Sequence, residues 1–189
     1  MQEVKETKYL GFVISTNNND SIHKTVTKRI GLAKQAVLEI RTIIEDSRAS
    51  RLGGINVAFQ LWESCVLSFL LYSSETWDHI PKKTIRVLND YFNYFFRKIF
   101  RICSGAPIPN FYWQTGFLKA GNMILQKKLL FCHHLSNLEA GSLVRQFYDL
   151  QCINDLPGLY SNVREHLVKL GIPGLKNVSK GIWKKMVKA

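Results

Sequence analysis

Magnesium binding, or a division of acid and base work between two groups, needs carboxylates held close together. In this sequence Asp20, Asp46, Asp78, Asp90, Asp149 and Asp155 are scattered, and none sits in the two-carboxylate strand turn that holds metal ions in a polymerase. Asp155, Glu165 and Lys169 imitate the trio of a metal-dependent nuclease, but they fall on turn and helical patterns rather than on paired strands. Cys132-His133-His134 offers metal-ligand chemistry without the spacing for it. Adjacent side chains diverge on a helix, no CxxC partner exists, and the nearest further cysteine is Cys152. No GxxxxGK[ST] or GxGxxG occurs, and no Ser, His and acid set stands in a recognisable motif. The sequence therefore predicts no catalytic residue, no metal and no cofactor for this chain alone.

Charge points elsewhere. The 189 residues carry 26 Lys and Arg against 14 Asp and Glu, a formal charge of +12 and a pI near 9.7. Such an excess favours a polyanionic partner, because each cation set beside a phosphate releases a condensed counterion. A membrane surface or a simply solvated basic exterior are the competing readings. The apolar run Val66 to Tyr72, broken only by Ser68, is much shorter than the roughly 20 residues of a membrane span. Met1 is followed by the charged segment 2–8 instead of a secretory leader, so Cys65, Cys103, Cys132 and Cys152 are expected as free thiols in a reducing compartment, nuclear or cytoplasmic.

The elements that would position those charges are mainly helical. Lys8 to Ser15 reads as an extended strand, closed by the turn residues Asn17 to Asp20, and no second convincing strand follows. Asp20 or Ser21 is placed to cap a helix whose stripe Ile22, Val26, Ile30, Ala33, Val37, Ile40 and Ile44 repeats at steps of three and four. Its opposite face would carry Lys24, Lys28, Arg29, Lys34 and Arg41, the first candidates for phosphate contact. Ile55, Ala58, Phe59, Trp62, Val66 and Leu70 mark a central helix that ends at Ser73 to Trp77. Pro81 opens a third, with Ile85, Leu88, Phe92, Phe95, Ile99 and Ile102 along one side. There Phe92, Phe95 and Phe96 are expected in the core. Tyr94, Arg97, Lys98 and Arg101 are binding candidates, since aromatic and basic groups together stack bases and neutralise phosphates. Gly105, Pro107 and Pro109 form a hinge. A short element at Phe111 to Gly116 follows, then helices at Met123 to Leu138, Ser142 to Cys152 and Leu159 to Leu170, and a basic tail with Lys176, Lys180, Lys184, Lys185 and Lys188. The fold class predicted is a helical bundle with a short N-terminal β-strand or hairpin.

The order of these motifs resembles a known family. Lys8-Tyr9-Leu10-Gly11, the helix around Arg29-Ile30 and Ala33, LSFLLYSSETW at Leu67 to Trp77 and FRKIFRICSG at Phe96 to Gly105 resemble the reverse transcriptase of non-long-terminal-repeat, LINE-like retrotransposons. The similar part begins at the primer-grip strand and continues through the thumb. WQTG at Trp113 to Gly116 and LQKKLLFCHHLSNL at Leu125 to Leu138 look like the helical segment that follows the thumb. The likeness covers about Lys8 to Gln151. Family members usually carry glycine where this chain has Ser73 and an acidic residue where it has Gln114.

The resemblance implies that the metal-binding aspartates belong to a palm upstream of the Tyr-Leu-Gly strand, so this chain would be a non-catalytic piece of an RNA-directed DNA polymerase. It implies Tyr9, Leu10 and Gly11 near a primer end, and a first thumb helix against an RNA–DNA duplex. The domains expected are 1–20 as a palm and primer-grip remnant, 21–104 as a thumb-like bundle, and 105–189 as a helical connector with a basic tail. The partners would be an RNA–DNA or other nucleic-acid duplex and the upstream palm and fingers where these are encoded, with no membrane. The alternative is a helical protein–protein interaction module that uses the surface of Tyr91 to Phe100 and binds no nucleic acid.

Overall fold

The computed structural model describes residues 6–9, 12–15, 18–46, 51–77, 79–154 and 159–169. The fold is mainly α, with two short strands at its start. Two compact units form: Met1–Tyr72 with Ile80–Ala120, and Ser73–His79 with Gly121–Ala189.

In the first unit the predicted strand divides in two. β1 (Glu6–Tyr9) pairs antiparallel with β2 (Phe12–Ser15), Tyr9 opposite Phe12 and Glu6 opposite Ser15. Leu10, Gly11 and Asn17 lie outside the described residues. Helix α1 (Asn18–Asp46) starts earlier than the expected cap at Asp20 or Ser21, and Ser21 lies within its first turn. Its Oγ accepts the Ser15 N–H at 2.9 Å, and Thr25 Oγ1 accepts the buried Val13 N–H at 2.9 Å. Two hydroxyls of α1 thus satisfy strand donors that a two-stranded ribbon would leave unpaired. Ile22, Val26, Ile30, Ala33, Val37 and Ile40 are buried, as the spacing predicts.

The central helix changes its winding midway. α2 (Arg51–Leu61) runs into a π-helical stretch at Trp62–Leu67 and then into the short α3 (Ser68–Leu70), with the Ser68 N–H donating to Glu63 O five residues back. An α-helix overshoots a full turn every four residues, whereas the wider π turn falls short of one. Combining them keeps Ala58, Trp62, Val66 and Leu70, spaced strictly by four, on one buried line. On the exposed side the Ser64 hydroxyl bonds Gln60 O at 2.7 Å and the Ser68 hydroxyl bonds Ser64 O. Such side-chain bonds to carbonyls four residues back compete with the α ladder and favour local distortion.

Helix α4 (Lys82–Ile99) supplies most of the aromatic core. Trp62 stacks on Phe95 with ring centroids 3.9 Å apart and meets Phe92 edge-on at 5.1 Å. Phe96 is surrounded by Phe111, Phe117 and Tyr112 at 4.8, 5.2 and 5.5 Å. Phe111 and Tyr112 come from α5 (Ile108–Thr115), which ends at Gly116 with φ of 67°, a left-handed residue that closes a helix at least cost as glycine.

The second unit is built on α6 (Ala120–Ser136), α7 (Leu143–Ile153) and α8 (Leu159–Lys169). Leu129, Cys132, Leu135, Tyr148, Val163 and Leu167 form its core. Ser142 caps α7 by accepting the Arg145 N–H at 3.5 Å. The basic tail and the turn at 155–158 lie outside the described residues.

Ser73, where the resembling family carries glycine, has φ of 59°. A non-glycine residue in the left-handed region costs about 1–2 kcal/mol. The exposed 3.0 Å bond from Ser73 Oγ to Thr76 Oγ1 recovers part of that. Ser73→Gly is therefore expected to stabilise the chain by about 0.5–1 kcal/mol, read as a higher denaturant midpoint with an unchanged m-value. A lower midpoint would place the hydroxyl bond above the backbone strain.

Candidate nucleic-acid interface

The predicted basic face of α1 separates into three environments. Lys24, Lys28 and Lys34 are exposed. At 100° per residue Lys24 and Lys28 share one line along the helix, while Lys34 and Arg41 share another roughly a third of a turn away. Exposed Leu32, Leu38 and Ile43 interrupt the surface between and beside them. Arg41 is exposed and donates from Nε to Glu45 Oε1 at 2.9 Å.

Arg29 is a correction. Predicted on the solvent face, it is only 5% exposed, and its Nη1 donates to Leu70 O at 3.3 Å and to Tyr72 O at 2.8 Å. The last carbonyls of a helix have no partner within it, and a cation there also meets the negative end of the helix dipole. Arg29 fills both needs for the helix that ends at α3, with its guanidinium 5.7 Å from the Tyr72 ring centre. Burial lowers its pKa from the usual arginine value, partly offset by Tyr72. A group so placed is withdrawn from phosphate contact.

Arg97 is likewise committed. It is half-buried and donates to Cys103 O and, at 2.9 Å, to Ala106 O, tying down the chain that leaves α4. Lys98 remains exposed, its Nζ 5.9 Å from the Tyr94 ring centre. Arg101, exposed and left-handed with φ of 52°, reaches the same Glu45 Oε1 at 3.0 Å. Glu45 thus brings Arg41 and Arg101 of the two predicted groups to one carboxylate, and their bonds hold its pKa below the usual value. Exposed pairs of this kind add little to stability because solvent screens them, so both guanidinia can exchange a carboxylate for a phosphate. Tyr9 is exposed. Leu10 and Gly11 fall outside the described residues.

The aromatic surface of the alternative reading is also corrected. Tyr91, Phe92, Phe95 and Phe96 are buried, because Trp62 and the α5 aromatics cover them. Tyr94 and Phe100 are half-buried. Sequence periodicity also passed over Asn89 and Asn93, whose side-chain oxygens accept the Ala120 N–H at 2.9 Å and the Tyr112 hydroxyl at 3.0 Å. Their signal was available: two asparagines one turn apart inside an aromatic helix, where asparagine is a poor helix former.

In the second unit Cys132 is buried, and desolvation pushes its thiol up to about 12, so it is a packing group at neutral pH. His133 is buried and His134 exposed, as divergent neighbours on a helix must be. Among the described residues no cluster of His, Cys, Asp or Glu could hold a metal ion. Asp155 lies outside them. No described helix is long and apolar enough to cross a membrane.

Comparison with known proteins adds no assignment: no family model, curated protein or solved structure matches this chain.

The contrast between Arg29 and Lys34 is measurable. Arg29→Met leaves two helix-end carbonyls without their charged donor and is expected to cost about 3 kcal/mol in urea unfolding. Lys34→Met, on an exposed position, should stay within about 0.5 kcal/mol of the parent. Equal effects would remove the capping role.

Proposed function

We propose that this chain is a thumb and connector portion of a polymerase of the non-long-terminal-repeat reverse transcriptase kind, without catalytic groups of its own, that holds an RNA–DNA duplex by its backbone. The observation that carries this reading is the exposure of Lys24, Lys28 and Lys34 along a single 29-residue helix of a strongly basic chain. From Lys24 to Arg41 that helix extends about 25 Å, enough to meet several phosphates. The left-handed Ser73, at a position that the family fills with glycine, agrees with the same reading.

Contacts of lysine ammonium groups with phosphates position a duplex without reading its bases. Binding of the purified chain to a labelled RNA–DNA hybrid, followed by fluorescence anisotropy, should weaken steeply with salt and vary little with sequence. Each lost phosphate contact flattens the log–log salt dependence by about 0.9. Lys24→Ala, Lys28→Ala and Lys34→Ala combined should therefore reduce the slope by about 2–3. An unchanged slope would remove α1 from the interface.

A second reading keeps the protein-interaction module but moves it to α7. Leu143, Val144, Phe147, Leu150 and Ile153 are all exposed on that helix, a larger apolar surface than a solvated helix needs. That reading predicts association insensitive to salt and abolished by Phe147→Glu, with duplex binding absent even at low salt.

A further inference from the structure

The first unit holds a cavity of about 180 Å³ lined by Asn89, Asn93, Ile108, Pro109, Tyr112 and Lys119. It is smaller than the roughly 300–1,000 Å³ sites that enclose drug-sized ligands, and several times the roughly 30 Å³ share of one water. The pocket opens to solvent, and its size suits a single small group such as one phosphate.

The polar character of this cavity follows from hydrogen bonds made elsewhere. The Ala120 N–H can only donate, so the Asn89 atom 2.9 Å from it is the carbonyl oxygen, and the amide NH2 is the group left over. Asn93 repeats the arrangement one turn on: its oxygen accepts the Tyr112 hydroxyl at 3.0 Å. Burial pushes that hydroxyl up to about 12, so it keeps its proton at neutral pH. Both asparagines thus use their acceptors within the fold. Their NH2 groups make no internal hydrogen bond among the described residues, although these side chains line the cavity. Lys119, exposed at its edge, adds a cation. No carboxylate lines the cavity, and Ile108 and Pro109 form an apolar wall. A site that offers only donors and one positive charge selects an anion rich in acceptor oxygens.

We propose that the Asn89, Asn93 and Lys119 cavity is a seat for a single phosphate group, filled by a backbone phosphate of the bound nucleic acid. The source of the phosphate rests on the duplex-binding reading; the seat itself rests on the cavity. It differs from the α1 lysines in kind, because fixed amide donors set the position of one phosphate, whereas mobile ammonium groups tolerate many.

The test uses the full chain and the double variant Asn89→Asp with Asn93→Asp. Aspartate keeps the oxygen that accepts from Ala120 or Tyr112 and replaces the amide donor by a second, anionic oxygen. The internal bonds therefore survive while the seat is inverted. Inorganic phosphate, titrated against chloride at matched ionic strength, is expected to shift the side-chain NH2 resonances of Asn89 and Asn93 saturably in the unaltered chain. The double variant is expected to bind the RNA–DNA hybrid at least tenfold more weakly at low salt, and Lys119→Ala a few-fold more weakly. Resonances unmoved by phosphate overturn the seat, and that measurement needs no variant to fold. Hybrid binding that is lost with the α1 lysines but unaffected by the aspartates overturns the backbone source and leaves the duplex reading in place. Saturable phosphate shifts in a chain that binds no hybrid overturn the duplex reading, and leave a site for free phosphate.

Discussion

The structure depends on the capping of helix C-termini by arginines reached from another part of the chain. A helix end leaves carbonyl groups unpaired, and burying them without donors costs about 1–3 kcal/mol each. In the first unit Arg29 crosses from α1 to the carbonyls of Leu70 and Tyr72. In the second, buried Arg145 of α7 bonds Leu135 O at 3.4 Å and Ser136 O at the end of α6, while its Nε donates to Asp149 at 2.8 Å. Arg97 uses the same kind of bond for a different end, holding the loop carbonyls of Cys103 and Ala106 just beyond its own helix. Guanidinium suits the task because its fork of donors serves two carbonyls at once, and it stays charged when burial lowers its pKa.

This constraint alters what the net charge means. A formal +12 describes the chain as a polyelectrolyte, yet three of its arginines point at the protein's own carbonyls. Two more, Arg41 and Arg101, share Glu45. The positive charge within a polyanion's reach on the first unit is therefore mostly lysine, together with exposed Arg86 and the Arg41 and Arg101 pair, which can exchange Glu45 for a phosphate. Every lysine of that unit whose side chain is described is exposed, Lys24, Lys28, Lys34, Lys82, Lys83, Lys98 and Lys119 among them.

The elements were legible where burial alone decided them. The α1 stripe from Ile22 to Ile40 and Phe92, Phe95 and Phe96 of α4 repeat at steps that only a helix makes coincide, and all of these residues are buried. The hairpin was half legible: the extended stretch is there, but its partner strand, Glu6–Tyr9, is too short and too polar to announce itself. Arg29 was misplaced for a definable reason. It stands three residues after Val26 and four before Ala33, on the flank of the stripe, where rotation alone does not separate an inward from an outward side chain. What turned it inward is the end of a helix some forty residues later, which no local pattern records. The π turn did leave a trace, since Ala58, Trp62, Val66 and Leu70 keep a strict spacing of four that an unbroken α-helix would carry around its surface.

The arginines that cap and the lysines that face solvent imply different kinds of contact. A capping arginine makes directional bonds in one geometry, and its role is fixed once the helix it closes is in place. An exposed lysine is a point charge on a flexible stem, which gains by counterion release wherever a phosphate comes within reach and distinguishes little between neighbouring positions. A surface of lysines therefore tolerates a duplex that slides. Holding one register requires donors whose positions the fold sets, and Asn89 and Asn93 have theirs fixed because α4 uses their oxygens to bind Tyr112 and the first residue of α6. The same two bonds, to Tyr112 and to Ala120 within the first unit, thus determine which atoms remain available to a ligand.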